Sequence, residues 1–207
     1  MIVRDARAGE LAGIGELRVA AYRAGGLLSA NPGYAEVLRG LGISGTGEVL
    51  VAEDNGRIVG TVMLEPFHRF SEIARGPGEA EVRGLAVAPL EQRRGAGRAL
   101  VAAVIDRATV KGVHRVVLSA RPAMTAAQHL YRLAGFTRLP ERDWSPVPGV
   151  LLLAFGLALP HAGNPQPSAT ARGEGTPRLP LPARGDRLQS HLHRPPGAPV
   201  ADLTARL

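Results

Sequence analysis

Apolar residues along the chain recur either at helical spacing or in short runs typical of strands. The changes between these two patterns predict the order of strands and helices. Helical spacing predicts helices at residues 10–23, 34–39, 97–110 and 125–133. Runs rich in Val, Ile and Leu predict strands at residues 1–4, 48–53, 57–64, 80–87, 114–119, 136–139 and 150–155. This order has no internal repeat and predicts a mixed α/β fold around one central sheet.

The pattern also predicts the buried side of the first helix and the connection between the second and third strands. The first helix carries Leu11, Ile14, Leu17 and Ala21 at helical spacing, so these residues are expected to form its buried stripe. Asn-Gly between two apolar runs is a strong hairpin signal, and Asn55-Gly56 joins the second and third predicted strands.

A change of composition at Pro160 predicts a domain boundary. Residues 160–207 contain nine of the 17 prolines and no Phe, Tyr or Trp. Such a segment cannot bury enough apolar area to offset the entropy of ordering it. We therefore predict a folded domain at residues 1–159 and a disordered tail at 160–207 that is rich in Pro, Arg and His. His191 and His193 are interpreted as solvated side chains of that tail rather than as a metal site.

A basic turn lies between the fourth predicted strand and the third predicted helix. Gly95 and Gly97 lack a Cβ, so their amides can approach a ligand closely. A helix that begins here adds free N–H groups and the positive end of its dipole. The turn is therefore predicted to bind phosphate groups, with further donors from Gln92, Arg93, Arg94 and Arg98.

Two other phosphate-binding loops fit this turn poorly. A Walker loop ends in Gly-Lys-Ser/Thr, but Lys111, at the far end of the helix, is the only lysine in the chain. A dinucleotide fingerprint needs a third small residue where Leu100 stands.

The spacing Gln92-x-x-Gly95-x-Gly97 after a strand resembles the pyrophosphate loop of the GNAT superfamily of N-acetyltransferases. A second stretch, Ala127-x-x-Leu130-Tyr131-x-x-x-Gly135-Phe136, resembles that family's motif on the helix after the fifth strand. The predicted order of elements over residues 1 to about 158 also matches the family. One departure is Met124, which stands where many members have an asparagine that contacts the cofactor.

The resemblance implies a mostly antiparallel central sheet with splayed fourth and fifth strands and flanking helices. It also implies that acetyl-coenzyme A (acetyl-CoA) is the co-substrate, with its pantetheine arm inserted between those strands. Backbone groups of Leu85 and Val87 would pair with the pantetheine amides. The implied cofactor-binding residues are Leu85, Ala86, Val87, Gln92, Arg93, Arg94, Gly95, Ala96, Gly97 and Arg98.

The implied reaction is acetyl transfer to a primary amine by direct attack in a ternary complex. The chain has no cysteine, which excludes an acyl-cysteine intermediate. By resemblance, Glu81 is the candidate base, Tyr131 the candidate acid and the Val87 N–H the candidate oxyanion donor. Period-two alternation predicts that Glu81, Arg83, Leu85 and Val87 share one side of their strand. Ser119 is a further candidate for acceptor binding or proton relay.

The acceptor is expected to be a small-molecule amine rather than a protein N-terminus or lysine, and no metal is expected. Two other functions stay open, a coenzyme-binding sensor without turnover and a nucleic-acid-associated module. By analogy with the family, the acceptor would meet Tyr22, Arg23, Tyr34, His68, Arg69, Glu72 and Arg75.

The formal charge of +7 invites a nucleic-acid partner. However, only 4% of the residues are aromatic and no helix-turn-helix or zinc pattern is present, so nucleic acid is disfavoured. The N-terminus lacks the layout of a signal peptide and no run approaches 18 apolar residues, so a cytoplasmic protein without a membrane partner is expected. Formation of a homodimer stays open.

Overall fold

A computed structural model of the chain describes residues 1–160. The prediction of a disordered tail, with His191 and His193, lies outside the described residues. Within residues 1–160 the order of helices and strands is the one that the apolar pattern predicts. The elements are β1 (Ile2–Asp5), α1 (Leu11–Ala24), α2 (Tyr34–Gly40), β2 (Glu48–Asp54), β3 (Arg57–Pro66), β4 (Glu79–Val87), α3 (Ala96–Val110), β5 (Arg115–Ala120), α4 (Thr125–Leu133), β6 (Thr137–Arg138) and β7 (Leu153–Ala158).

The last strand begins three residues later than predicted, at Leu153 instead of 150. Before it, the Val150 N–H donates to the Val147 carbonyl at 3.1 Å, and Trp144 pairs with Leu152 in an isolated bridge. The prolines at 146 and 148 favour this turn over a continued strand.

The strands described in residues 1–160 form one seven-stranded sheet in the order β1-β2-β3-β4-β5-β7-β6. Of the pairs in that sheet, β4 and β5 are parallel and the others are antiparallel. The predicted hairpin between β2 and β3 is confirmed, since Asp54 pairs with Arg57 around Asn55-Gly56. The sheet is therefore mixed and mostly antiparallel, as expected.

Helices cover both faces of the sheet. On one face, which we call the α3 face, Leu100 and Val104 of α3 pack with Val62, Leu64 and Leu118. On the other, the α1 face, Ile14 and Leu38 pack with Val49, Val51 and Met63. Fully burying one such side chain contributes roughly 1.5–3 kcal/mol, so both layers hold the sheet in place.

The buried side of α1 differs from the predicted stripe. Leu11, Leu17 and Ala21 are only half-buried, whereas Ile14, Gly15, Arg18 and Val19 are buried. The cause is the close approach of α2, because a Cβ on Gly15 would lie 2.9 Å from the Cα of Arg39. This contact turns the helix so that the charged Arg18 faces inward.

Strands β4 and β5 separate partway along their length. Their pairing runs from Glu79 and Arg115 to Val82 and Leu118 and stops there. Beyond that point β4 stays paired with β3 as far as Val87, and β5 stays paired with β7 as far as Ala120. The expected splay is confirmed, and it leaves a wedge-shaped gap between the two strands.

A bulge in β4 overturns the prediction that Glu81, Arg83, Leu85 and Val87 share one side. The register between β3 and β4 shifts by one residue between the pairs Met63–Arg83 and Thr61–Ala86. The shift falls at Gly84, whose φ is +59°. Arg83 therefore lies on the α1 face with Met63, whereas Leu85 and Val87 pack on the α3 face.

Candidate active site

The gap between β4 and β5 opens into a cavity that holds about 890 Å³ of empty space, open solvent included. Its walls come from both splayed strands, from the β3–β4 loop, from the segment between α1 and α2, and from the segment before β7. The polar side chains among its lining residues are Tyr22, Asn31, Tyr34, Glu72, Glu81, Arg83, Ser119, Arg121 and Tyr131.

The edge of β4 offers unpaired backbone groups to this gap. The Ala88 N–H donates to the Val59 carbonyl in β3 at 2.8 Å. Because successive N–H groups of a strand point to opposite edges, the Ala86 amide points towards β3 and the Val87 amide towards the gap. Leu85 lines the cavity beside the bulge. An extended ligand could pair with this edge as an added strand.

The predicted phosphate-binding turn precedes the first turn of α3. Gly95 is the residue before the helix, with φ of +90°, and no side chain accepts a hydrogen bond from the first helical N–H groups. Those N–H groups and the helix dipole therefore remain available to an anion. A Cβ on Gly95 would meet no atom closer than 3.9 Å, whereas one on Gly97 would contact Leu130 of α4 at 3.4 Å. Gly95 thus allows the backbone conformation of the turn, and Gly97 also allows α3 to pack closely against α4.

The arginines of this turn differ in their partners. Arg94 forms ion pairs with Glu91 and, at 3.8 Å, with Asp54, so part of its charge is already neutralised. Arg93 and Arg98 are exposed and have no carboxylate partner among residues 1–160. The Gln92 side chain reaches towards the Val87 carbonyl at 3.5 Å. Arg93 and Arg98 are therefore the cations of the turn that are free for a phosphate.

Glu81 lies on the α1 face of β4, only 1% exposed, at the base of the gap. Its Oε1 accepts hydrogen bonds from the Ile73 N–H at 2.5 Å and the Ala74 N–H at 2.6 Å. The carboxylate therefore anchors the β3–β4 loop against the strand. Its Oε2 accepts no hydrogen bond from residues 1–160, which leaves this oxygen for a proton or a water molecule.

Two more carboxylates flank Arg83. Its Nη1 donates to Glu65 Oε2 at 2.9 Å and its Nη2 to Glu72 Oε1 at 2.6 Å. Burial is the largest influence on the pKa of Glu65 and pushes it upward, but the hydrogen bonds from Arg83 and Thr46 and the charges of Arg83 and His68 together hold that pKa below its usual value. For Glu72 the balance is reversed, since desolvation outweighs the charge of Arg83 and raises its pKa. Of these groups Glu72, Glu81 and Arg83 line the cavity, so this end has two carboxylates to one guanidinium.

Tyr131 of α4 reaches the cavity from the α3 face. It is 3% exposed, and its ring lies 6.0 Å from that of Phe136 and 6.1 Å from that of Phe155. Burial raises the pKa of the phenol well above its usual value, so the hydroxyl stays protonated at neutral pH. The hydroxyl makes no hydrogen bond to residues 1–160, although tyrosine hydroxyls in such surroundings usually find a partner. It is a proton donor without a protein acceptor.

The predicted acceptor residues divide into two groups. Tyr22, Tyr34 and Glu72 line the cavity, whereas Arg23, His68, Arg69 and Arg75 do not. Arg75 donates to the Glu141 carbonyl, and Arg69 stacks on the Phe70 ring at 4.5 Å. Ser119 lines the cavity and accepts a hydrogen bond from Trp144 Nε1 at 3.1 Å.

The sequence prediction missed several cavity residues, among them Asn31, Leu27, Pro146, Val150, Leu152 and Arg121. The sequence contained a signal for Arg121 as a cavity residue, because it directly follows β5, one of the two strands that diverge. The others come from turns without a regular pattern, so no local signal marks them.

Membrane-spanning helices and metal-binding side-chain groups are both absent from the described part of the chain. None of the helices in residues 1–160 has both the length and the apolar character to cross a bilayer. In the same range, no group of three or more His, Asp or Glu side chains is placed to hold a metal ion.

Sequence comparison gives two matches. Residues 26–136 match the model of the "Acetyltransferase (GNAT) family". A mycothiol acetyltransferase from Cellulomonas flavigena is 38% identical over 92 residues, which cover 43% of this chain and 26% of that protein. The chain thus matches about a quarter of the length of this curated relative.

Structural comparison gives the same fold. The ribosomal-protein-S18-alanine N-acetyltransferase of Escherichia coli has a TM-score of 0.59 at 20% identity, and the match covers 78% of this chain and 96% of that one. The yncA protein of Salmonella typhimurium, solved with its cofactor acetyl-CoA, has a TM-score of 0.55 at 23% identity, with 81% and 98% covered. At these identities the likeness establishes the fold alone.

Proposed function

Because the chain belongs to the acetyltransferase (GNAT) family, we propose that it transfers an acetyl group from acetyl-CoA to a primary amine of a small molecule. The observation that carries this proposal is the gap between β4 and β5, which opens between a phosphate-binding turn and an anionic cavity. A donor that carries a pyrophosphate and an acceptor that arrives as an ammonium ion suit these two ends.

The residues of the gap fit acetyl-CoA as the donor. The edge of β4 at Leu85, Ala86 and Val87 would lie along the pantetheine arm. The pyrophosphate would meet the N–H groups of Gly95, Ala96 and Gly97, together with Gln92, Arg93, Arg94 and Arg98. When bound, acetyl-CoA supplies an acetyl thioester, which is already activated towards amines.

The chemistry we propose is direct attack within a ternary complex. The amine nitrogen forms a bond to the acetyl carbon, the bond between that carbon and sulfur breaks, and the thiolate leaves. Holding the two reactants together can lower the barrier by roughly 7–11 kcal/mol in favourable cases. The Val87 N–H, which points into the gap, is the proposed donor to the oxygen that becomes negative.

The proton transfers complete the reaction. The ammonium ion must lose one proton before it attacks, and Glu81 Oε2 is the proposed acceptor, directly or through a water molecule. Glu72 at the same end is a second carboxylate that could pass this proton to solvent. The nitrogen loses a second proton as the amide forms, and this proton balances the one that the leaving thiolate takes up. The Tyr131 hydroxyl is the proposed donor to the leaving sulfur, since burial keeps it protonated and no group in residues 1–160 accepts a hydrogen bond from it.

The walls of the cavity support a small acceptor. Side chains from the segment before β7, Pro146, Val150 and Leu152, wall it on one side. A protein N-terminus or lysine remains the alternative acceptor, and binding of acetyl-CoA without turnover remains the alternative function. The cytoplasmic location and the homodimer stay predictions.

The proposal is tested with a panel of primary amines. Full-length protein is incubated with acetyl-CoA and each amine, the released coenzyme thiol is measured, and the acetylated amine is identified by mass spectrometry. Acetyl-CoA binding is measured separately by calorimetry. Amine-dependent thiol release with a matching product supports the enzyme. Tight acetyl-CoA binding without thiol release on small amines, peptides or proteins would instead favour the sensor.

A further inference from the structure

Arg121 is a cavity cation without a carboxylate partner. Its Nη1 donates to the Leu27 carbonyl at 3.0 Å, and it forms no ion pair with residues 1–160. The other arginine of the cavity wall, Arg83, is matched by Glu65 and Glu72. The Nε and Nη2 groups of Arg121 therefore remain available to a ligand.

The backbone at Arg121 is held in place from α4. Gln128, which is 6% exposed, donates from Nε2 to the carbonyls of Arg121 and Pro122 at 3.1 and 2.9 Å. Arg132 in turn donates to Gln128 Oε1 at 3.2 Å. The guanidinium thus extends from a fixed base, which is what recognition of a ligand group requires.

The contact with Leu27 places Arg121 on the acceptor side of the gap. Leu27 belongs to the segment between α1 and α2. It lines the cavity together with Glu81 and Arg83, which lie on the α1 face of β4. The phosphate-binding turn lies at the start of α3, which packs on the other face. There Arg93 and Arg98 already supply cations for the phosphates, so Arg121 is not needed for them.

The cavity therefore has two ends of opposite charge. Glu72 and Glu81 make the end at the β3–β4 loop anionic, and Arg121 makes the end at the β5–α4 turn cationic. An ammonium group is attracted to the first end and an anionic group to the second. The forked donors of a guanidinium match the two oxygens of a carboxylate.

We propose that the acceptor is an amine that also carries a carboxylate, such as an amino acid, and that Arg121 binds this carboxylate. The inference rests on the proposed acetyl transfer to an amine and names the class of substrate. It makes Arg121 a specificity-determining residue.

The experiment compares matched acceptors that differ only in the carboxylate: an amino acid, its carboxamide and its decarboxylated amine. We expect the wild-type protein to acetylate the amino acid with the highest kcat/KM. Arg121→Met should lower kcat/KM for the amino acid about 10- to 100-fold, mainly through KM, and leave the other two acceptors nearly unchanged. Arg121→Lys should keep part of the preference, because it keeps the charge without the fork.

Two controls keep the result interpretable. Arg57→Met removes an exposed arginine of the β2–β3 hairpin that does not line the cavity, and it should preserve the preference. Acetyl-CoA affinity, measured by calorimetry, and the melting temperature should be the same in wild type and Arg121→Met.

Several outcomes would overturn the inference. A wild-type protein that prefers the carboxamide or the decarboxylated amine contradicts it while leaving acetyl transfer intact. Equal losses on all three acceptors, or weakened acetyl-CoA binding in Arg121→Met, would assign Arg121 to the fold or to the cofactor. Acetyl-CoA binding without transfer to any amine would reject the proposed function and this inference with it.

Discussion

Arg18 of α1 lies against Gly84 of β4. A Cβ on Gly84 would come within 3.1 Å of Arg18 Nε and 2.7 Å of Leu41 Cδ1. Arg18 is fully buried, and its Nη1 donates to the carbonyls of Leu41 and Leu38 at 2.7 and 3.4 Å, at the end of α2. The bulge at Gly84, which changes the face on which the following β4 side chains lie, therefore packs directly against α1 and the end of α2.

Gly84→Ala should destabilise the protein and weaken acetyl-CoA binding. The residue has φ of +59°, which side chains rarely adopt, and the added Cβ would collide with Leu41. We expect a loss of about 1–3 kcal/mol in the free energy of unfolding, measured by urea denaturation. Gly13→Ala, at an open exposed position of α1, is the control and should be neutral or stabilising. Equal stability of the two variants would contradict the packing described here.

Gly95→Val should abolish acetyl-CoA binding with a smaller effect on folding. No atom lies within 3.9 Å of the new Cβ, but a φ of +90° strains a branched residue and reshapes the turn. The control is Gly112→Val, which has φ of +71° and open space but lies at the other end of α3. Calorimetry should detect loss of affinity only for Gly95→Val. Unchanged affinity would remove this turn from the cofactor site.

Glu81→Gln should keep the loop anchored but slow the reaction. The amide oxygen can still accept the N–H groups of Ile73 and Ala74, whereas the amide nitrogen cannot take a proton. We expect kcat/KM to fall about 100-fold or more, most strongly at low pH, where the acceptor is most protonated. Glu72→Gln is the comparison and should have the smaller effect. A small loss that is the same at every pH would indicate a structural role for Glu81 only.

Tyr131→Phe should fold normally and turn over slowly. The hydroxyl bonds to nothing in residues 1–160, and the ring contacts with Phe136 and Phe155 are kept. At saturating acceptor we expect the rate to fall about 100-fold, with an unchanged melting temperature. If the rate stays at the wild-type value across the pH range, Tyr131 is not the acid.

Arg142→Met should destabilise the protein in a pH-dependent way. Arg142 binds Glu79 through two hydrogen bonds of 2.8 and 2.9 Å, and both side chains are 8% exposed. Burial, the largest influence, would raise the pKa of Glu79, but Arg142, the Arg75 N–H and the charge of Arg115 together hold it below its usual value of 4.5, with Arg142 the largest of these. A lowered pKa stabilises the folded state above pH 4.5, and this stability is lost as the pH falls through the lower folded value.

In the variant we expect a loss of about 1.5–3 kcal/mol at pH 7, because the buried carboxylate loses two charged hydrogen bonds and keeps only the Arg75 N–H and the longer ion pair with Arg115. The loss should shrink below pH 4.5. Denaturant unfolding at pH 7 and pH 3.5 measures the difference. A loss of equal size at both values would mean that packing, and not the charge pair, is responsible.

Candidate site residues could be predicted where a local pattern marks them. Gly95 is identified by its spacing from Gln92, and Tyr131 by its spacing from Gly135. Arg121, by contrast, is separated in sequence from Leu27 and from the carboxylates that define its role. Its lack of a carboxylate partner among residues 1–160 is a property of the folded cavity and leaves no trace in the residues beside it.

The sequence by itself determined the order of helices and strands and the hairpin at Asn55-Gly56, because these depend on residues close together in the chain. For the same reason it marks the turn at Gly95, whose binding of phosphate stays a prediction. Only the tertiary structure decided which face each side chain takes. The bulge at Gly84 moves Leu85 and Val87 to the α3 face, and the approach of α2 to Gly15 turns Arg18 inward. Both follow from packing between distant segments, which no local period encodes.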